Sequence, residues 1–185
     1  MKFAGLDYSM TSPAICIFDD KNSPFSYTSC KFYYLTQNKK YDIVTSNIWG
    51  KYFDYSTEND RYDKISTFFI DLILEADVDH VFIENYSMGS RGRVFNIAEN
   101  TGIFKYRLWK HGKTCEAIAP TVIKKFATGK GNADKQKMQD AFQSETNVDL
   151  KFELKMTEKQ WNPSSDIIDA YWICKYALHT IKGST

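Results

Sequence analysis

The sequence predicts a mixed α/β fold in which helices cover the faces of one sheet. Residues 2–34 contain three short runs rich in β-branched and aromatic residues, and turn-forming clusters separate them. Such runs with short links favour an antiparallel meander. The rest of the chain alternates apolar patterns of helical period with short apolar runs, as α/β folds do.

The meander is predicted from Lys2 to Asp7, from Ala14 to Phe18 and from Phe25 to Tyr34. The cluster DDKNSP provides one of its turns. Residues 36–60 are polar and aromatic without a clear period. They therefore predict a long polar insertion that leaves the core.

Helices and strands alternate in the prediction for the remaining chain. Apolar residues share one helical face from Arg61 to Ala76, and HVFIENY then predicts a strand. A second helix is predicted from Val94 to Lys110, with Gly112 ending it. The later elements are a strand at CEAIAP, a helical turn begun by Pro120, a helix from Ala133 to about Gln143 capped by Asn132, and a final helix capped by Ser165.

Length and composition indicate one globular domain over residues 1–185. A chain of 185 residues with 43% hydrophobic and 16% aromatic residues can bury a substantial core, which excludes a disordered protein. No apolar stretch approaches the roughly 18 to 20 residues of a membrane helix, and the N-terminus lacks a signal-peptide apolar region. We expect a protein that is not secreted, has no membrane partner and stays where it is made.

The four cysteines are spaced too widely for a CxxC pair or a zinc-finger pattern. We therefore expect Cys16, Cys30, Cys115 and Cys174 to be buried, reduced thiols, as is usual in a cytosolic protein.

Positive charge is concentrated in the middle of the chain, although the formal net charge is only +1. Residues 86–137 carry 11 Lys and Arg against 3 Asp and Glu, a net charge of +8. Residues 1–85 have a net charge of −5 (8 against 13), and residues 138–185 have −2 (5 against 7). The basic block fits either a solvated helix face or a surface that binds a polyanion.

Four acids are notable for their positions in the predicted elements. Asp7 and Glu84 end apolar strands, and these ends meet if the two strands are neighbours. Asp166 and Asp169 are three residues apart on a helix, so they share one face. Taken singly, each acid is also consistent with a turn, an ion pair or a helix cap.

Clustered carboxylates repel one another unless a cation neutralises them. A ligand set of oxygens alone, without His or Cys, favours Mg²⁺ or Mn²⁺ over zinc. Two such ions about 3.5 to 4 Å apart can activate a water and stabilise the leaving oxygen in phosphodiester hydrolysis. An acidic metal centre beside a basic segment is therefore typical of a nuclease.

Four segments resemble, in order and spacing, the motifs of the RuvC-type Holliday junction resolvases of the ribonuclease-H-like superfamily. They are GLDYSMTSPAICIF, HVFIENYSMG, TVIKKFATGKGNADKQKM and PSSDIIDAYWI. The resemblance covers most of the chain except roughly residues 36–60 and 145–162. It implies a five-stranded mixed sheet flanked by helices, and a homodimer with one active site per subunit. It also implies Mg²⁺-dependent paired nicks in opposite strands of a four-way DNA junction, as in DNA recombination and repair.

Position by position, the resemblance makes Asp7, Glu84, Asp166 and Asp169 metal ligands and catalytic residues. They would hold two Mg²⁺ ions per active site, with Mn²⁺ as a substitute. Lys135 matches a family lysine that contacts phosphate near the cut, where it would stabilise developing negative charge.

Further DNA contacts are predicted in the segments before and after the second helix. Tyr86 and Met88 follow the second acid, where the family often carries an aromatic wedge. Arg91 and Arg93 are interleaved with Gly89 and Gly92 in a loop that suits phosphate tracking. Lys130 lies in the third motif and is predicted to bind DNA with Lys135.

The helix from Val94 to Lys110 resembles the one at the family's dimer interface, so Ala98 and Gly102 are expected to pack between subunits. One departure concerns the first motif, where bacterial members typically have Pro-Gly after the aspartate and this chain has Tyr8-Ser9. Together with the insertions, it suggests a divergent, phage-type member in the cytoplasm of a bacterial or phage-infected cell.

Three other functions stay open at this stage. A related ribonuclease-H-like nuclease for flaps, forks or RNA–DNA hybrids would use the same metal centre. A non-catalytic module that binds branched DNA is possible if the carboxylates do not converge. An actin-like phosphotransferase is disfavoured, because LDYSMTS has no second copy in the chain.

Overall fold

A computed structural model describes residues 1–85 and 94–183. The strands within these ranges are β1 (Lys2–Asp7), β2 (Ala14–Asp19), β3 (Cys30–Thr36), β4 (Ile48–Tyr52), β5 (His80–Glu84) and β6 (Cys115–Ile118). The helices there are α1 (Glu58–Glu75), α2 (Val94–Lys110), α3 (Pro120–Thr128), α4 (Lys135–Thr146), α5 (Leu150–Glu153) and α6 (Ser164–Gly183). None of these helices has the length and apolar character needed to cross a bilayer.

The strands of the described residues form one mixed sheet in the order β4-β3-β2-β1-β5-β6. Strands β1, β2 and β3 pair antiparallel, as predicted for the meander. Strand β5 runs parallel to β1, and β6 runs parallel to β5. The mixed α/β sheet flanked by helices is thus confirmed, but the predicted count of five strands is wrong by one.

The additional strand, β4, lies inside the segment that was predicted to leave the core. It pairs parallel with β3, and Ile48 is fully buried. Gly50 lies at the centre of β4, where a Cβ atom would collide with the ring of Tyr34. The glycine makes room for a core tyrosine, and the same glycine obscures the strand pattern in the sequence.

Each face of the sheet has its own apolar core. Along β1, the even-numbered residues from Ala4 to Tyr8 face α1 and α2. The odd-numbered residues face α6, since side chains alternate along a strand, and they run from Phe3 to Asp7. The same alternation along β5 directs Glu84 to the α6 face.

Gly5 allows α6 to lie directly on β1. A Cβ atom at this position would be 2.6 Å from the carbonyl oxygen of Ala170 and 2.8 Å from the Cα of Cys174. Any side chain larger than hydrogen would therefore separate the helix from the strand. The close approach brings the first turns of α6 over the end of β1.

Several predicted boundaries are wrong by a few residues. Strand β3 begins at Cys30 instead of Phe25, because Tyr27–Ser29 forms a 3₁₀ turn that Ser26 caps. Helix α4 begins at Lys135, and its cap is Asp134 instead of Asn132. Ser165 lies inside α6 and is not its cap. All four cysteines are free thiols; Cys115 is partly buried and the other three are buried.

Candidate active site

Asp7 and Glu84 end two neighbouring parallel strands at the same edge of the sheet. The register pairs Leu6 with Ile83, so the two acids occupy the next position on each strand. Both side chains point to the α6 face, and both residues are partly exposed. The topology thus brings together two acids that are 77 positions apart, as the sequence predicted.

Asp166 and Asp169 lie in the first turns of α6, on the side that covers β1. Asp166 is buried with 5% of its surface exposed, whereas Asp169 is partly exposed. The negative charge of Asp166 also suits the positive end of the helix dipole. These two acids complete a group of four at the carboxyl ends of β1 and β5.

The acids interact strongly enough to change one another's proton affinity. Burial raises the pKa of Asp7 and of Asp169 well above the usual range, and repulsion from the neighbouring carboxylates raises both further. Burial likewise raises the pKa of Glu84 to about 7 and that of Asp166 to about 6. The neighbouring carboxyl of Asp166 raises the pKa of Asp7 further, whereas Ser12 and Asp7 lower the pKa of Asp166 against the larger effect of burial. The group therefore carries negative charge that it does not neutralise itself.

The donor chemistry fits a hard divalent cation. All four side chains offer carboxylate oxygens, the ligands preferred by Mg²⁺ and Mn²⁺. A cation at this position would supply the charge compensation that the raised pKa values indicate is missing. In residues 1–85 and 94–183, however, no three His, Cys, Asp or Glu side chains already have the mutual spacing of a metal site. The oxygens would have to draw closer when an ion binds.

A chain of hydrogen bonds orients Asp166. Ser12 Oγ donates to Asp166 Oδ2 at 2.6 Å, and Asn162 Nδ2 donates to Ser12 Oγ at 2.7 Å. Lys135 Nζ donates to Asn162 Oδ1 at 3.4 Å and to Ser165 Oγ at the same distance. Because Asn162 donates to Ser12, the serine proton is directed to the carboxylate. No sequence pattern marks Ser12 or Asn162, since the Ser12–Asp166 contact joins residues 154 positions apart.

A pocket of about 150 Å³ opens beside the acids. Its charged lining consists of Glu84 and Asp169 together with Lys124 and Lys135. The positive charge of Lys124 lowers the pKa of both acids, and that of Lys135 lowers the pKa of Asp169, which shows that the lysines lie close to the carboxylates. Sequence reasoning missed Lys124, although it lies in the motif that contains Lys135. The sequence signal for Lys124 was its position four residues after Pro120, which begins α3 and so places the lysine in the early part of that helix.

Side chains on the α1/α2 face of the sheet, opposite the α6 face, hold the loop between β1 and β2. Tyr8 packs its ring 4.7 Å from that of Phe104, and its hydroxyl donates to Asn100 Oδ1 at 3.4 Å. Arg61 is buried and donates through Nε to the carbonyl oxygen of Met10 at 3.0 Å. Tyr8 therefore packs the loop into the α1/α2 core.

The other predicted residues lie outside this group of side chains. Lys130 is exposed in the turn between α3 and α4 and does not line the pocket. Ala98 and Gly102 lie on α2; the glycine is exposed, and a Cβ atom there would meet nothing within 4 Å. The predicted DNA contacts at Tyr86, Met88, Arg91 and Arg93 lie outside the described residues.

The sheet order, the helices on its faces and the acids at one edge define a ribonuclease-H-like fold. The solved structure of Thermus thermophilus RuvC is 14% identical, with a TM-score of 0.62 over 99% of this chain and 97% of that chain. The complex of T. thermophilus RuvC with a Holliday junction substrate is 13% identical, with a TM-score of 0.65 over 100% of this chain and 97% of that chain. Fowlpox virus resolvase bound to its substrate Holliday junction DNA is 11% identical, with a TM-score of 0.52 over 98% of this chain and 99% of that chain.

These similarities show that the chain has the fold of the RuvC-type resolvases, as the sequence motifs implied. No family model and no curated protein matches the chain by sequence.

Proposed function

We propose that this protein is a Mg²⁺-dependent, structure-selective endodeoxyribonuclease that nicks opposite strands of four-way DNA junctions. The observation that supports this function best is the convergence of Asp7, Glu84, Asp166 and Asp169 at one sheet edge of a RuvC-type fold. Two of the structures that share the fold hold Holliday junction DNA, which supports branched DNA as the substrate.

In this proposal the four carboxylates hold the divalent ions, whose chemistry is to activate a water and to stabilise the leaving oxygen. Ser12 keeps Asp166 oriented by donating to Oδ2. Lys124 and Lys135 line the pocket beside the acids, where their ammonium groups suit a phosphodiester and the charge that develops on it. Bound ions would favour the ionised form of these acids, against the raised pKa values that burial gives them.

The basic middle of the chain supports contact with DNA on this side of the molecule. Lys125, Lys130 and Lys137 are exposed on or beside α3 and α4, the two helices that also carry the pocket lysines Lys124 and Lys135. Their charges suit binding to the phosphate backbone, which carries no sequence information. We therefore assign these lysines to positioning of the junction arms.

We further propose a homodimer that uses α2. Phe95, Tyr106 and Trp109 are 79%, 60% and 62% exposed, which is unusual for large apolar side chains. Together with Ala98 and Gly102 they follow a spacing of three or four residues, so they form one stripe along the helix. A second copy of the same stripe would cover it, and the dimer would present two active sites to one junction.

Cleavage of a labelled four-way junction tests the proposal. Wild type with Mg²⁺ should produce paired nicks, whereas Asp7→Asn and Asp169→Asn should reduce the cleavage rate at least about a hundredfold, because each removes charge needed to hold the ions. Lys182→Gln, at the far end of α6, serves as the control. Undiminished cleavage by both aspartate variants would exclude this active site. Equal rates on linear duplex and junction would exclude resolution while leaving a nuclease, and flap, fork and RNA–DNA substrates would then identify it.

A further inference from the structure

An aromatic ring lies in the same pocket as the charged groups. Trp161 lines the pocket together with Glu84, Asp169, Lys124 and Lys135, and it is partly exposed. It comes from the linker before α6, which the family motifs do not cover. The catalytic chemistry proposed above uses only carboxylates and lysines, so it gives this ring no role.

The ring of Trp161 is fixed in place. Lys151 Nζ lies over the ring, 4.0 Å from its centroid, and donates to the carbonyl oxygen of Glu158 at 2.7 Å. Lys151 is only 4% exposed, so the cation on this face of the ring is itself buried. The carbonyl oxygen of Trp161 accepts from Ser164 Oγ at 2.7 Å and from Ser165 N at 2.8 Å. These bonds tie the backbone of Trp161 to the start of α6, just before Asp166.

A core role does not explain this arrangement. Trp172, which packs in the α6 core, is 3% exposed, whereas Trp161 keeps part of its surface open to the pocket. Lys151 covers one face of the ring, so a ligand in the pocket meets the remaining surface. A partly exposed ring in a pocket that also contains Lys124 and Lys135 matches the combination of aromatic and basic side chains on which nucleic-acid-binding proteins stack bases.

We propose that Trp161 stacks on the base of the nucleotide next to the phosphate that is cut. This inference rests on the proposed function and adds to it a source of structure selectivity. A base inside a continuous duplex is already stacked on both sides, so it is not available to a protein ring. A base at a branch point can leave its neighbours and stack on Trp161, so the contact favours branched over linear DNA.

Two substitutions of Trp161 separate stacking from folding. After the cut position is mapped with wild type, junction affinity is measured by fluorescence anisotropy in EDTA, without cleavage. Trp161→Leu should weaken binding about five- to a hundredfold, the range found when a stacking aromatic is removed. Trp161→Phe should stay within about threefold of wild type, since it keeps an aromatic face. As the matched control, Trp49→Leu removes a ring stacked 4.9 Å from Tyr33 at the far edge of the sheet and should leave affinity unchanged.

An abasic junction distinguishes base stacking from a structural role. Removing the base beside the cut should weaken wild-type binding as much as Trp161→Leu does, and the variant should lose nothing further on this substrate. Equal wild-type affinity for intact and abasic junctions overturns the inference, even if Trp161→Leu fails to fold. Equal loss by the variant on both substrates overturns it as well. If wild type neither binds nor cuts junctions, the proposed function itself is wrong; cutting without any effect of Trp161→Leu rejects the stacking alone.

Discussion

At the scale of single residues, the site depends on neutral side chains that orient its charges. Ser12 is buried between Asn162 and Asp166, accepts from the first and donates to the second. Its hydroxyl lowers the pKa of Asp166 against the larger raising effect of burial. Ser12 thus keeps this carboxylate ionised and in one orientation, which are both conditions for holding a cation.

We predict that Ser12→Ala weakens Mg²⁺ binding about 10- to 100-fold, the usual cost of losing a hydrogen bond to a metal ligand. The readouts are the Mg²⁺ concentration for half-maximal junction cleavage and the Mg²⁺-induced rise in melting temperature. Ser12→Thr keeps the hydroxyl and should recover most of the affinity. Ser23→Ala, at an exposed turn, is the control. Unchanged Mg²⁺ dependence in Ser12→Ala would show that the hydrogen bond does not support the site.

The raised pKa values predict an unusual dependence of stability on pH. Glu84 has a pKa of about 7 in the folded chain and 4.5 as its ordinary value, because burial disfavours its charge. Between these values the folded state binds more protons than the unfolded state, so the free energy of unfolding falls as pH rises. Asp7 and Asp169 have raised pKa values too and act in the same direction.

Without divalent ions, the protein should therefore melt at a lower temperature at pH 8 than at pH 5.5. Adding Mg²⁺ at pH 8 should raise the melting temperature again, because the ion replaces the missing protons as the source of positive charge. Glu84→Gln should flatten the slope between pH 4.5 and 7, since glutamine does not titrate. A melting temperature in EDTA that rises over this interval would contradict the assigned environment of the acids.

The sequence was sufficient to predict that the four acids lie close together, but not which residues orient them. Strand ends and a three-residue helical spacing are local patterns, and they identified Asp7, Glu84, Asp166 and Asp169. Ser12 and Asn162 carry no such pattern, because their roles arise only when the loop after β1 meets the start of α6. Lys124 had a signal in its place within the third motif, but it was overlooked, since a lysine on a helix is usually solvated.

At the scale of elements, the position of α6 on β1 determines the site. The helix carries two of the acids and the strand carries a third, and Gly5 sets the distance between them. The strand pattern predicted β1 with the correct bounds, but it gave no reason for a glycine at its centre. The reason is the backbone of α6, which belongs to a segment more than 150 residues later.

We predict that Gly5→Ala lowers the free energy of unfolding by about 1–3 kcal/mol, the usual cost of overpacking. The added methyl group would lie 2.6 Å from the Ala170 carbonyl oxygen, so α6 must move away from β1. Asp166 and Asp169 move with it, and Mg²⁺ binding should weaken in the same variant. Urea unfolding gives the stability, and titration calorimetry gives the Mg²⁺ affinity.

Gly102→Ala is the matched control, because a Cβ atom there has no neighbour within 4 Å. It should leave Mg²⁺ affinity unchanged and should not destabilise α2, since alanine favours helix more than glycine does. If Gly5→Ala bound Mg²⁺ as wild type does, the close packing of α6 would not be what positions the acids.

At the scale of the whole molecule, charged and apolar surfaces are separated. The acids and the pocket lysines lie on the α6 side of the sheet, whereas the apolar stripe of α2 lies on the α1/α2 side. In this arrangement a dimer formed through α2 leaves both active sites open to DNA. The resemblance of the second helix to the family's dimer helix predicted Ala98 and Gly102 at a subunit interface. The exposed aromatic residues beside them became evident only once α1 and the sheet had taken their positions.

The dimer should disappear when the stripe receives a charge. Trp109 is 62% exposed in the single chain. Trp109→Glu should therefore fold as well as wild type, yet it should sediment as a monomer, because association would bury the new carboxylate. On a supercoiled plasmid with an extruded cruciform, wild type should produce linear DNA by paired nicks, and the variant should release mostly nicked circles. As the control, Phe152→Glu places the same charge at another exposed aromatic residue, since Phe152 on α5 is 84% exposed. This variant should remain dimeric and produce paired nicks. A monomeric wild type would reject the dimer, whereas a dimer lost in Phe152→Glu but kept in Trp109→Glu would assign the interface to another surface. Sedimentation equilibrium decides between these results.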